Sequence, residues 1–439
     1  SSLPIGGRMA QLDKTFPTGD CAMYLLSPKL VECARNKNIE IITLSQIESI
    51  NGTPGHYQVR IRTEPRFVDA EKCNACGDCV EACPVQLPNE FDRKMGLRKA
   101  IFRPYPQAIP NVYGISKAGG RAPCKASCPA GVNAQGYVAL VAAGKFKEAY
   151  DLIMERCPLP SVCGRVCQHP CQSDCNRSEI DQPVSVRDIK RFVGDYVHAN
   201  RDSLPASSAQ PAESTGKKVA VIGGGPAGLT TAYDLAMLGH AVTIYDSMPA
   251  LGGMLRYGIP RYRLPADVLD REIQAILDLG IQARTGTRVP DPKALLASQA
   301  QTAQAHPDLP DRQAGLDGAG QFDAVFVAIG AWVGRSLGIP GEDAAGVFNG
   351  LKFLGEVNTG GRPRLGANVV VIGGGDVAMD AARCARRLDG VQNVRLACLE
   401  SRDEMPAHEW EAEEALQEGV QFHPSLGPTK IIVEGGRVT

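Results

Sequence analysis

The chain has 439 residues, enough for two or three domains with separate cores. Hydrophobic residues make up 44% and charged residues 22%, and the net charge of -1 gives no reason to expect nucleic acid or an anionic membrane as partner. No apolar run approaches the ~20 residues of a membrane-spanning helix, and the N-terminus lacks the charged-then-apolar pattern of a signal peptide.

Residues 1–65 read as the end of an α/β domain. A short helix is expected over Ser27–Arg35, with strands over Ile39–Thr43 and Tyr57–Ile61, both rich in β-branched residues. Residues 66–119 hold a first group of cysteines. Residues 120–200 hold a second group, with helical periodicity over Gln135–Arg156 and Val184–Ala199. Residues 201–216, rich in Ser, Pro and Ala, read as a linker. A βαβ region starts at Lys217 in a unit reaching residue 346, interrupted by a polar stretch, Ser298–Gln321, that reads as a surface insertion. A second βαβ region begins near Asn368, in a unit spanning 347–439. Alternating strand and helix argue for parallel sheets.

Of the 15 cysteines, eleven lie between Cys73 and Cys175. Gaps of two or three residues suit metal ligation better than cross-linking, and thiolate ligands imply a reducing compartment, the cytoplasm. Cys73, Cys76, Cys79 and Cys83, followed by Pro84, fall in the run C-x2-C-x2-C-x3-C-P. That is the bacterial ferredoxin spacing, in which soft thiolates wrap the corners of a 4Fe-4S cluster. The fourth ligand is either Cys83 or a cysteine from elsewhere.

Cys124 and Cys128 open the second group, and Cys167, Cys171 and Cys175 close it, with Cys157 and Cys163 in addition. Over Ala122 to Tyr196 the text APCKASCPA and GRVCQHPCQSDC resembles the N-terminal iron–sulfur domain of the glutamate synthase small subunit, which also opens dihydropyrimidine dehydrogenase. The resemblance implies jointly held 4Fe-4S clusters. The C-x2-C pair expected before Cys124 is missing, so the segment has seven cysteines where two full clusters need eight ligands. One cluster is expected, on Cys128, Cys167 and Cys171 with Cys124 or Cys175. A second would need Cys157, Cys163 or a non-cysteine ligand.

Gly223, Gly225 and Gly228 form G-x-G-x-x-G after the apolar run Val219–Ile222, and a second run, Ala241–Tyr245, ends at Asp246. The glycines permit a tight turn and let a pyrophosphate approach a helix N-terminus, while the acid can accept from a ribose hydroxyl. Gly252, Gly253 and Met254 follow in LGGMLRYGIPRYRLP, which resembles the FAD site of the glutamate synthase small subunit; the resemblance implies FAD here. Gly373, Gly375 and Ala378 form a second fingerprint, followed by Asp380 and Arg383. In that family this unit binds NADPH. The next apolar run, Val394–Cys398, leads to Glu400, Ser401 and Arg402. A carboxylate at Glu400 would repel a 2′-phosphate and suit the free hydroxyl of NADH, whereas Arg402 could still accept NADPH. Cys384 and Cys398 have no partner at motif spacing and are expected in the core.

Residues 5 to about 112, beginning IGGRMAQLDKTFPTGDC and continuing through SPKLVECARNKNIEI, resemble the A-type flavoprotein subunits of heterodisulfide reductase, a family that in some members bifurcates electrons. The turn LPIGGRM parallels ALGGMLR at 250–256 but lacks a preceding mononucleotide-binding unit, and no return segment to the flavin domain follows Gly436. The chain therefore reads as a piece of a longer protein, of expected α/β class: two Rossmann-like domains, for FAD and for NAD(P), preceded by a ferredoxin-like segment over 66–119 and a helical iron–sulfur domain over 120–200. The expected chemistry is electron transfer between NADH or NADPH and at least two 4Fe-4S clusters through FAD: hydride passes between nicotinamide and flavin, and single electrons pass to the clusters. No protein acid or base is needed, and the direction is open. Expected partners are other iron–sulfur or flavin subunits of a redox complex and a ferredoxin-type acceptor. Two rival readings are a glutamate synthase small subunit and a non-catalytic iron–sulfur conduit or scaffold.

Overall fold

A computed structural model describes all residues except 1, 90–94, 117–121, 206–209, 297–319 and 439. Nearly all of the expected insertion at 298–321 lies outside the described residues. The chain divides into two compact units, residues 1–123 with 173–184, and residues 124–172 with 185–439.

In the first unit, helix α1 (Ala22–Arg35) starts earlier than the expected Ser27, and Pro28 sits inside it. The antiparallel hairpin β1 (Ser45–Thr53) and β2 (His56–Thr63) includes the expected strand at Tyr57–Ile61. Residues 39–43 do not form the expected strand. The segment has no regular secondary structure, among the described residues no strand pairs with it, and β-branched residues make a strand only where a neighbour pairs and packs. The ferredoxin-like run holds one helical turn, Asp78–Glu81.

In the second unit the helical reading over 135–156 resolves into α2 (Ala134–Ala142) and α3 (Phe146–Met154). Gly144, at φ +73°, takes the left-handed conformation that ends the first helix. Asn133 caps α2 by accepting from the Gly136 N–H. Helices α4 (Pro160–Val166) and α5 (Val186–Ala199) complete the helical part. Next come β3 (Lys218–Ile222), α6 (Pro226–Met237), β4 (Ala241–Tyr245), α7 (Ala266–Leu277), β5 (Gln282–Arg284) and β6 (Ala324–Val327). These strands form a parallel sheet in the order β6-β3-β4-β5. Helix α8 (Gly350–Asn358), capped by Asn349, leads to β7 (Asn368–Ile372), α9 (Asp376–Arg386), β8 (Asn393–Ala397), α10 (Glu409–Gln417) and β9 (Gln421–His423). Its three strands are also parallel, in sequence order. Both sheets meet the α/β expectation, and each carries its glycine turn at the carboxyl end of its first strand, where such sheets bind ligands.

One hydrophobic core joins the helical part to the first sheet. Leu159 and Val162 pack with Leu229, Ile244, Leu269 and Ile276. Glu272 of α7 lies inside this contact, 1% exposed. Its carboxylate accepts the backbone N–H of Ser161 and, at 2.9 Å, that of Val162, so a buried acid supplies the acceptors that the start of α4 requires. A separate core holds the second sheet, and Cys384 and Cys398 are buried in it as expected.

Candidate functional site

At the first glycine turn, two glycines answer needs internal to the protein. Gly223 has φ +104°, and a Cβ there would meet the Ala328 carbonyl oxygen at 2.2 Å. A Cβ on Gly228 would lie 1.8 Å from the Gly223 carbonyl oxygen, so only glycine lets α6 approach β3. Gly225 differs: its φ is -75°, and the nearest atom to an added Cβ is Gly253 Cα at 3.7 Å, ordinary contact. Nothing among the described residues requires glycine there. Gly253, at φ +51°, brings the paired-glycine turn backbone to backbone against Gly225, and the Gly252 N–H donates to the Gly224 carbonyl at 2.8 Å. Met254 begins the single helical turn Met254–Tyr257 just beyond. Asp246 is buried, and its two oxygens accept from Gly224 N–H at 2.7 Å and Met248 N–H at 2.8 Å. A carboxylate has about four acceptor positions, so Asp246 retains capacity for a ribose hydroxyl while bracing the turn.

The second turn repeats the logic. Gly373 has φ +133°, and Ala378 lies 3.5 Å from where its Cβ would be. Gly375, at φ -98°, has open space around an added Cβ. Glu400 reaches back over this turn, with its Oε2 3.1 Å from a Cβ built on Gly374. Arg402 is paired with Glu409 at 2.8 Å. The turn's helix opens with Asp376, whose carboxylate accepts the His408 N–H and lies 2.8 Å from His408 Nδ1.

The segment RYRLP, placed by sequence beside the flavin turn, also holds the nucleotide unit. Arg263 pairs with Asp380 at 2.7 Å and with Glu411. Arg383 pairs with Glu414 and Glu418, both at 2.7 Å, and Tyr262 lies under Arg383 and Arg387. Burial pushes the Asp380 carboxyl up to about 6, against the downward pull of Arg263. Sequence singled out Asp380 and Arg383 but had no means to supply Arg263 as their partner.

Cys73, Cys76 and Cys79 lie near one another: burial and then the two neighbouring thiols raise the Cys79 thiol above its usual value. The Cys83 thiol points to the Val85 carbonyl at 3.6 Å. Arg66 sits beside Cys73, its charge disfavoured by burial, and donates to Leu3 O at 2.8 Å.

In the second unit Cys124, Cys128, Cys157 and Cys171 lie near enough to the buried Tyr137 phenol to act on it, and burial and then these thiols push it far up. Cys157, Cys163, Cys167 and Cys128 lie near enough to the Lys190 ammonium to act on it; burial draws it down, and these thiols together hold it above its usual value. Cys157 and Cys163, extras in the sequence, hydrogen-bond to each other, which lowers the first thiol and raises the second. Lys190 was missed by sequence reasoning. The signal was present: with Val186, Val193 and Val197 it occupies the buried stripe of α5, where an unpaired lysine has no reason to sit. Cys175 belongs to the first unit, ahead of a short 3-10 helix, Asn176–Glu179. No three His, Cys, Asp or Glu side chains among the described residues converge on one point that could hold a single metal ion. Soft thiols spread around a buried cation fit a multi-iron cluster of net negative charge better than a lone ion.

Three family models match. Residues 217–439 match the pyridine nucleotide-disulphide oxidoreductase family, residues 118–202 match dihydropyrimidine dehydrogenase domain II with its 4Fe-4S cluster, and residues 67–88 match a 4Fe-4S binding domain. The chain is 40% identical over 338 residues to the NADP(+)-dependent formate dehydrogenase subunit beta of Moorella thermoacetica, covering 72% of this chain and 45% of that protein. It is 33% identical over 321 residues to the NAD-dependent dihydropyrimidine dehydrogenase subunit PreT of Salmonella typhimurium, covering 72% of this chain and 71% of that one. A 111-residue stretch, 25% of this chain, is 50% identical to 17% of an A-type iron-sulfur subunit of the CoB–CoM heterodisulfide reductase of Methanopyrus kandleri. The matches therefore fit the expected flavin, nucleotide and iron–sulfur organisation without singling out glutamate synthase, and the chain spans under half the length of the formate dehydrogenase relative. No helix among the described residues is long and apolar enough to cross a membrane.

Proposed function

Because the chain belongs to the pyridine nucleotide-disulphide oxidoreductase family, we propose that it passes electrons between a nicotinamide dinucleotide and 4Fe-4S clusters through FAD, as one subunit of a larger redox complex. The observation that carries this reading is the pair Gly225 and Gly375. Each is the middle glycine of its fingerprint, and neither meets a steric demand from the protein itself. Space kept open at the N-termini of two long helices, with Gly223 and Gly228 required by close backbone contacts and Gly373 by its φ of +133°, suits two pyrophosphates.

FAD, when bound, supplies the exchange between a two-electron hydride and single electrons. The chain's own residues do the rest. The 223–228 and 252–254 turns hold one dinucleotide, and Asp246 takes its ribose. The 373–378 turn holds the other. Arg263, tied to Asp380 and Glu411, fixes the two nucleotide units relative to each other. Cys73, Cys76, Cys79 and Cys83 hold one cluster. Cys128, Cys167 and Cys171, completed from Cys124, Cys157 or Cys163, hold another. Partners would be iron–sulfur or flavin subunits, with a ferredoxin-type protein as one acceptor.

Glu400, poised over the second turn, favours the free 2′-hydroxyl of NADH. Arg402 supports the NADPH alternative, since its exposed pair with Glu409 is weak enough for a phosphate to displace. Anaerobic addition of each nucleotide to flavin-loaded protein tests both points. Bleaching of the flavin by NADH at much lower concentration than by NADPH is expected. Bleaching by neither would overturn the electron-transfer reading and leave a conduit or scaffold. A clear NADPH preference would overturn the role given to Glu400.

A further inference from the structure

A continuous chain of side-chain contacts runs from the second nucleotide turn to the cysteine loop at 167–171. Asp376, next to Gly375, is bonded twice by His408, through its backbone N–H at 2.9 Å and its Nδ1 at 2.8 Å. The His408 ring stacks with Trp410, centroids 4.5 Å apart and planes tilted by 34°. Trp410 stacks with His169, again at 4.5 Å and tilted by 35°. His169 stands between Cys167 and Cys171, and its backbone N–H points to the Cys167 sulfur at 3.4 Å.

Ordinary packing accounts for a half-buried indole. It does not account for the cost accepted at His169. The residue holds φ +44°, a conformation that bulky side chains rarely adopt, and its Nδ1 is buried without a hydrogen-bond partner among the described residues. The residue that carries both penalties is the one whose ring stacks on Trp410. Asp376 places a second carboxylate-bearing contact in the first turn of α9, the helix end at which a pyrophosphate would bind on the proposed reading. Its two bonds from His408 anchor that charge, so an arriving diphosphate must act on the pair.

On the reading that these thiols hold a cluster and the 373–378 turn a dinucleotide, we infer that Trp410 is a positioning residue that couples nucleotide occupancy to the cluster. Binding shifts the Asp376–His408 pair, the shift passes through the stacked indole, and His169 carries it to the loop bearing Cys167 and Cys171. Linkage makes the coupling reciprocal: the redox state of the cluster alters nucleotide affinity by the same factor that the nucleotide alters the redox equilibrium. A coupling of about tenfold, within the usual range, corresponds to a change of ~59 mV in a one-electron midpoint potential.

The test is a potentiometric titration of the reduced-cluster EPR signals, with and without saturating ADP-ribose, a redox-inert dinucleotide fragment. The cofactor-loaded chain is compared with Trp410→Leu, Trp410→Phe and His408→Leu. Calorimetry confirms ADP-ribose binding, and iron analysis confirms the clusters. Wild-type protein should show a shift of this size, Trp410→Phe should keep most of it, and Trp410→Leu and His408→Leu should lose it. No shift in wild-type protein that binds ADP-ribose and holds iron overturns the inference. So does an equal shift in either leucine variant, which would mean that the field acts through space. If Trp410→Leu does not take up its cofactors, His408→Leu decides. Absence of iron or of ADP-ribose binding in wild-type protein instead refutes the underlying site assignment, so the two failures are distinguishable.

Discussion

Replacing Glu272 tests how the helical iron–sulfur part is held to the flavin unit. The carboxylate is 1% exposed and accepts two backbone N–H groups at the start of α4. Leucine at this position leaves both donors buried and unpaired, at ~1–3 kcal/mol each. It also removes a negative charge from a helix N-terminus, worth up to ~2 kcal/mol in a buried setting. The relief of desolvation offsets part of this, so a net loss of ~3–4 kcal/mol is expected for Glu272→Leu. Glutamine keeps one acceptor but turns an amide donor toward the second N–H, and should cost about half as much. At ~2–4 °C per kcal/mol for a domain of a few hundred residues, Glu272→Leu should release flavin ~6–16 °C below wild type. The assay is the rise of flavin fluorescence on anaerobic heating of the cofactor-loaded protein, since free flavin emits more strongly than bound. A Glu272→Leu protein melting within a degree or two of wild type would refute the reasoning. So would a glutamine variant less stable than the leucine one.

Two further substitutions separate glycines that serve the fold from those that serve a ligand. Gly228→Ala forces a Cβ to within 1.8 Å of a carbonyl oxygen and should abolish flavin uptake, read from the absorption spectrum. Gly375→Ala meets no atom within 4 Å, so the protein should fold and keep flavin while its nicotinamide dinucleotide Kd rises at least ~10-fold by calorimetry, the loss expected when a backbone can no longer approach a pyrophosphate. Asp380→Asn tests the buried ionic network. A carboxyl raised from 3.8 to about 6 on folding holds its proton more tightly in the folded protein than in the unfolded chain. Its ionisation therefore opposes folding, with no penalty well below pH 4 and the full penalty above about pH 6. The stability of Asp380→Asn relative to wild type should rise by about 1 kcal/mol between pH 5 and pH 7, measured by urea unfolding. A flat or falling difference would contradict the burial argument.

The sequence determined the local chemistry. The two fingerprints are periodic features a few residues long, and their requirements are met within one strand, one turn and one helix, so Gly223 and Gly228 could be read directly. The ferredoxin spacing was legible for the same reason, since a short loop of thiols carries its geometry in its gaps. Where order depends on distant chain, the sequence was silent or misleading. Ile39–Thr43 has the composition of a strand, but strand formation needs a neighbour, and none lies beside it among the described residues. Cys157 and Cys163 stood outside the motifs, named only as ligands that a second cluster would need, because the turns that bring them to Cys128, Cys167 and Lys190 lie between helices, not within a motif. Arg263 meets Asp380 across 117 residues, and Glu272 meets Val162 across 110. His169, Trp410 and His408 stack only because the cysteine loop and the second nucleotide unit fold together. Local motifs set which groups the chain carries. Packing between them, which no spacing rule encodes, decided which groups meet.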